Sequence, residues 1–182
     1  MTPRTRNRLA LILILALFLA PLAVSWMLGA RGWLPEGRRN YGTLIEPPRN
    51  LATAQLRYVD GGTLAWRDPN WSWTVIAIPG SQCAKACLAR LDELRRVRLS
   101  LNQNAARVRL VVVGDLPPDE STALAPLRAV RDPDEALRWL QPAGADELAV
   151  AFADPQGFLV LSYSVGYDAR KLRQDLERVL KS

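Results

Sequence analysis

The sequence predicts an α/β domain, a central mixed sheet flanked by helices, behind a single N-terminal membrane-spanning helix. Three observations predict it. Residues 9–28 (LALILILALFLAPLAVSWML) form an uncharged apolar run of twenty residues. Two short apolar, β-branched runs, 73–78 and 107–113, flank a segment of helical period. A second pair of runs, 148–153 and 158–163, is joined by Asp154-Pro155-Gln156-Gly157 and followed by an amphipathic helix.

The apolar run comes first. At ~1.5 Å rise per residue, twenty residues reach roughly 30 Å, the hydrocarbon thickness of a bilayer. Pro21 is tolerated in a membrane helix, and Trp26 lies where an interfacial aromatic would. A cleaved signal peptide is the rival reading, but the run exceeds an h-region of roughly 7–15 residues and no A-x-A site follows it. The expected organisation is therefore a cytoplasmic segment 1–8, an uncleaved signal-anchor 9–28, a Gly-, Pro- and Arg-rich tether 29–50 and a domain 51–182. Arg4, Arg6 and Arg8 crowd the N-terminal flank more densely than Arg31, Arg38 and Arg39 crowd the other. The positive-inside rule then puts the domain on the extracytoplasmic side of the cytoplasmic (inner) membrane, where disulfides persist.

Composition excludes several functions. The formal charge is +6, but the excess sits in the first fifty residues, so a nucleic-acid partner is not expected. No histidine is present, which removes imidazole as base, proton shuttle or ligand and excludes a serine–histidine arrangement. The methionines are Met1 and Met27, neither of them in the predicted domain.

Within the domain, 55–59 and 63–66 flank Asp60-Gly61-Gly62 and predict a hairpin. The run 73–78 reads as a strand buried on both faces, broken by Pro79-Gly80-Ser81. From 84 to about 102, Leu88, Leu91, Leu94, Val97 and Leu101 repeat at three- and four-residue steps between arginines. A second buried strand, 107–113, ends at Gly114-Asp115. Short helices are expected at 119–127 and 133–140, the latter capped by Asp132 with Pro133 in its first turn. A hairpin of 148–153 and 158–163 precedes a last helix capped by Asp168 and carrying Leu172, Leu176, Val179 and Leu180. Strand–helix–strand, then hairpin and helix, is the thioredoxin-type arrangement.

Both cysteines, Cys83 and Cys87, stand where the first core strand meets its helix. At a helix N-terminus, free N–H groups and the dipole favour a thiolate, and Lys85 adds positive charge. Cys87 is one turn on, so a disulfide needs a distorted first turn and is easier to reduce than a structural one. The pair is a redox couple, a structural disulfide, two buried hydrophobes or part of a metal site.

On these residues the sequence resembles the Sco/SenC family, membrane-anchored thioredoxin-fold proteins that assist copper delivery to cytochrome c oxidase. The resemblance rests on the anchor, the strand followed by Cys83-x-x-x-Cys87, and the hairpin from Ala151 to Gly157. It implies cytochrome c oxidase assembly as the process, with an oxidase subunit or its copper-delivery proteins as partner. It also implies Cu(I) on the two thiolates. The family's third copper ligand is a histidine, and here the matching region reads Gly144-Ala145-Asp146-Glu147, with Asp146 at its place. A carboxylate suits soft Cu(I) poorly. A proline immediately before this strand, which thioredoxin-type oxidoreductases use to present substrate, is also lacking.

The leading expectation is thiol–disulfide exchange with a copper-site protein, Cys83 attacking and Cys87 resolving, as a thiol–disulfide oxidoreductase. A weak Cu(I) metallochaperone and a non-catalytic assembly scaffold are the alternatives. The carboxylates Asp115, Asp119 and Glu120, and Asp132, Asp134 and Glu135, read as solvated or capping loops. Trp66, Trp71 and Trp73 read as core and rim packing around the first core strand.

Overall fold

The computed structural model describes residues 3–30, 40–67, 70–116 and 118–181. The chain divides into two compact units, Met1–Arg39 and Asn40–Ser182. In the first, helix α1 spans Pro3–Ala30, and its stretch Arg6–Ala30 is long and apolar enough to cross a membrane. Its leucines and isoleucines from Leu9 to Leu22 are exposed, as a lipid-facing helix requires.

The second unit is a thioredoxin-like fold built on a seven-stranded mixed sheet. Its strands are β1 (Thr43–Asn50), β2 (Arg57–Tyr58), β3 (Trp73–Pro79), β4 (Val108–Val113), β5 (Arg128–Arg131), β6 (Leu148–Ala153) and β7 (Phe158–Tyr163). They lie in the order β1-β7-β6-β3-β4-β5-β2. β3 is central, parallel to β4 and antiparallel to β6, with Val75 opposite both Leu110 and Phe152. Helices α2 (Lys85–Leu99), α3 (Pro118–Ala123) and α4 (Ala169–Val179) complete it.

The period of two along β3 divides the core. Val75 and Ala77 join Leu91, Leu94, Leu172 and Leu176 on the side of α2 and α4. Ile76 and Ile78 join Leu56, Leu64, Trp66 and Leu137 on the opposite side. Burial on both faces accounts for the continuous apolar reading of β3 and β4. The start of α4 is also as expected: Asp168 accepts the N–H groups of Arg170 and Lys171. In the β6–β7 turn, Asp154 accepts those of Gln156 and Phe158, and Gly157 takes φ +92°.

Four local expectations change. Residues 43–50, read as tether, form β1, an edge strand beside β7 whose register shifts between Leu44 and Arg49. Pro47 and Pro48 fall within that irregularity, where a missing N–H costs no ladder bond. The hairpin at 55–66 is reduced to the two-residue β2 and an Arg57–Thr63 bridge, and β2 takes β5 as its sheet partner. The helix expected over 119–127 stops at Ala123, and 128–131 becomes β5. Over 133–140 there is only a 3-10 turn at Arg138–Leu140, although Asp132 does cap, accepting the N–H groups of Ala136 and Leu137.

Candidate functional site

The cysteines sit at the end of central strand β3, where a loop turns the chain into α2. They form a disulfide with Cα atoms 5.1 Å apart. The distortion that this needs lies ahead of the helix: α2 starts at Lys85, and Ala84 at its N-cap has φ −107° and ψ −145°. Cys83 is thus a loop residue, and Cys87 lies in the first turn. The two sulfurs differ in access, since Cys87 is 0% exposed within the core while Cys83 is half-buried.

Cys83 lines a cleft of about 460 Å³, whose walls include Pro79, Gly80, Gly114, Asp115, Glu135 and Arg138. The volume falls in the ordinary range of ligand sites, roughly 300–1,000 Å³. Of the acidic loops, Asp115, Asp132 and Glu135 reach this cleft; Asp115 pairs with Arg131 at 3.3 Å and Glu135 with Arg138 at 2.6 Å. Asp134 accepts the Gln55 N–H instead. Trp66 is buried, Trp73 half-buried and Trp71 61% exposed, so Trp71 is a surface residue, away from the cysteines' cleft.

The opposite wall of the cysteine loop is the segment before β6. Gly80 N–H donates to the Glu147 carbonyl and Gln82 N–H to that of Ala145, both at 2.9 Å. A Cβ on Gly80 would collide with the carbonyl oxygens of Gly144 and Ala145, so only glycine allows this approach. The pairing delivers Asp146 to the start of α2. Its Oδ1 accepts the N–H groups of Ala84 (2.8 Å) and Cys87 (2.9 Å), and its Oδ2 that of Ala86 (2.8 Å). Hydrogen bonds from Cys87 and then Ala86 hold the Asp146 carboxyl below the ordinary carboxylate range.

Asp146 therefore stands at the start of the cysteine helix as its cap. Its role escapes sequence reading because the amides it caps are about sixty residues away. The one local signal is Ala84, which occupies an N-cap where Ser, Thr, Asp or Asn would be usual. The cap also changes the electrostatics expected of Cys83. The amides that would favour a thiolate are already occupied by a carboxylate.

Copper is tested by the same geometry. Among the described residues no group of three or more His, Cys, Asp or Glu side chains stands together as a metal site. The third candidate donor, Asp146, is hard and already accepts three amides. The residues present do not fit a three-coordinate copper site.

Fold and site together define a thioredoxin-like protein with a C-x-x-x-C disulfide at the end of its central strand. A family model described as "Transmembrane-like, thioredoxin-like, C-terminal domain" matches residues 73–182, and the chain belongs to that family. No curated protein sequence matches it. Solved structures share the fold at low identity. Yeast Sco1 with copper bound is 14% identical at a TM-score of 0.54, covering 80% of this chain and 96% of that one. Apo Sco1 from Thermus thermophilus is 20% identical at 0.51, covering 77% and 96%. A putative protein disulfide isomerase from Bacteroides thetaiotaomicron is 17% identical at 0.50, covering 78% and 90%.

Proposed function

We propose that this protein is a membrane-tethered thiol–disulfide exchange protein whose domain faces the extracytoplasmic side and keeps a partner's cysteines reduced. The observation that carries the reading is the asymmetry of the pair: Cys83 opens on a cleft while Cys87 lies buried behind it. In the reduced protein, the Cys83 thiolate attacks one sulfur of a partner disulfide. That S–S bond breaks, a mixed disulfide forms, and the departing partner thiolate takes a proton. Cys87 then gives up its proton and attacks the Cys83 sulfur, which forms the intramolecular disulfide and releases the second partner thiol. Two electrons pass to the partner, and a dithiol reductant restores the pair.

The finer assignment, to a copper-site protein in cytochrome c oxidase assembly, is supported by the Sco resemblance of anchor, C-x-x-x-C and hairpin. The apolar run of α1 and the arginines in its first turns support the membrane side. Cys87→Ser in the full chain should trap a mixed disulfide, seen as a thiol-sensitive adduct on non-reducing gels, and identify the partner by mass. Cys83→Ser should trap none. Equal trapping by both variants, or by neither, rejects the exchange role.

A further inference from the structure

We propose that Asp146 is a positioning residue for the cysteine pair, pinning the turn between the two sulfurs so that the disulfide is favoured over the dithiol. The inference rests on the exchange chemistry above and supplies a cause for its direction.

The helix that carries Cys87 has no cap of its own, since Ala84 offers no side-chain acceptor. Asp146 supplies it from another segment and takes three of the four amides from Ala84 to Cys87. That stretch is the bridge between the sulfurs, so fixing it holds the Cα atoms at the 5.1 Å of the disulfide. A pre-set geometry raises the effective concentration of one thiol at the other and favours ring closure. Without the pins, the dithiol gains conformers that the disulfide does not share.

Charge acts in the same direction. Amides at a helix N-terminus would stabilise a Cys83 thiolate, and so the reduced form. The Asp146 carboxylate occupies them and repels a second anion. Both effects disfavour the reduced pair, which therefore gives up its electrons readily. Two thiols release two electrons and two protons, a partner disulfide takes them up, and the reductant that resets the pair must be a stronger dithiol donor.

The test is the equilibrium of the full chain in detergent with dithiothreitol redox buffers at pH 8. The dithiol fraction is read by mass after alkylation. Asp146→Asn should shift the equilibrium about tenfold toward the dithiol, or about 30 mV toward a more oxidising couple. Glu147→Gln makes the same charge change one residue on, where the side chain accepts the Gly144 N–H, and should stay within about twofold of native. A purely structural cap would lower the stability of both redox forms alike and leave their ratio unmoved. Should Asp146→Asn melt, Asp146→Glu, with the charge kept and the reach altered, should still move the ratio toward dithiol. A ratio within twofold of native in the folded Asp146 variants, or an equal shift from Glu147→Gln, overturns the proposal. A shifted ratio with no trapped partner upholds it and rejects the exchange role instead.

Discussion

The phenol of Tyr163 donates to Asp175 Oδ2 at 2.7 Å, joining the last strand to the last helix. Asp175 is 1% exposed and also accepts the N–H groups of Tyr41 (2.6 Å) and Gly42 (2.9 Å), while its Oδ1 pairs with Arg178 at 2.7 Å. One buried carboxylate thus fixes the entry of the domain, the end of β7 and α4. Removing it leaves buried donors without acceptors, which costs more than the hydrogen bonds are worth net. Asp175→Ala should lower unfolding stability by about 3 kcal/mol and Tyr163→Phe by about 1 kcal/mol, read from urea midpoints at unchanged slope.

Two tyrosines make stability fall at alkaline pH. Burial first, then the Asp175 hydrogen bond, raises the Tyr163 pKa far above its ordinary value. Burial first, then Glu93, raises that of Tyr167. In the unfolded chain both ionise near pH 10, whereas in the fold they stay protonated. Above about pH 10 the unfolded state therefore binds fewer protons than the native one, and stability declines as pH rises. Below it, their contribution is complete. The 295 nm absorbance of these two phenolates should appear together with loss of the fold, and Tyr163→Phe with Tyr167→Phe should abolish that coupled part.

Particular residues explain how much of this was legible. The strands 73–79, 108–113 and 148–153 announce themselves as apolar runs because both of their faces are largely buried, and 158–163 by its alternation of buried and half-buried residues. β1 does not, since it is an edge strand, mostly exposed, with Pro47-Pro48 in its middle. β5 has four residues, Arg-Ala-Val-Arg, of which only Val130 is buried, too few for a period to declare itself. At the site, Cys83 and Cys87 were readable from their position alone. The cap by Asp146 was not, because helix caps are recognisable in sequence only when the helix supplies its own.

Gly80 offers a test of how closely the cysteine loop depends on the segment before β6. Its N–H reaches the Glu147 carbonyl, and any Cβ meets the Gly144 and Ala145 carbonyl oxygens, which are backbone and cannot rotate away. Gly80→Ala must push the two segments apart and weaken the approach of Asp146 to α2. The expected cost is about 1–3 kcal/mol by urea unfolding. Amide exchange should quicken at Gln82, Ala84 and Cys87, whose acceptors lie across that gap.

The copper question can be turned into a gain of function. In the native chain the donors at this place are two thiols and a carboxylate spent on three amides, so reduced protein should bind Cu(I) no more tightly than a simple dithiol peptide. Asp146→His exchanges the hard carboxylate for an imidazole, a better match for Cu(I). It also removes the cap, which lowers stability. Competition with a Cu(I) chelator should show the variant binding at least about tenfold more tightly than native, since a third soft-to-borderline ligand completes the set. Equal affinity would mean that residue 146 faces the helix amides too closely for any side chain there to reach a metal on the two sulfurs.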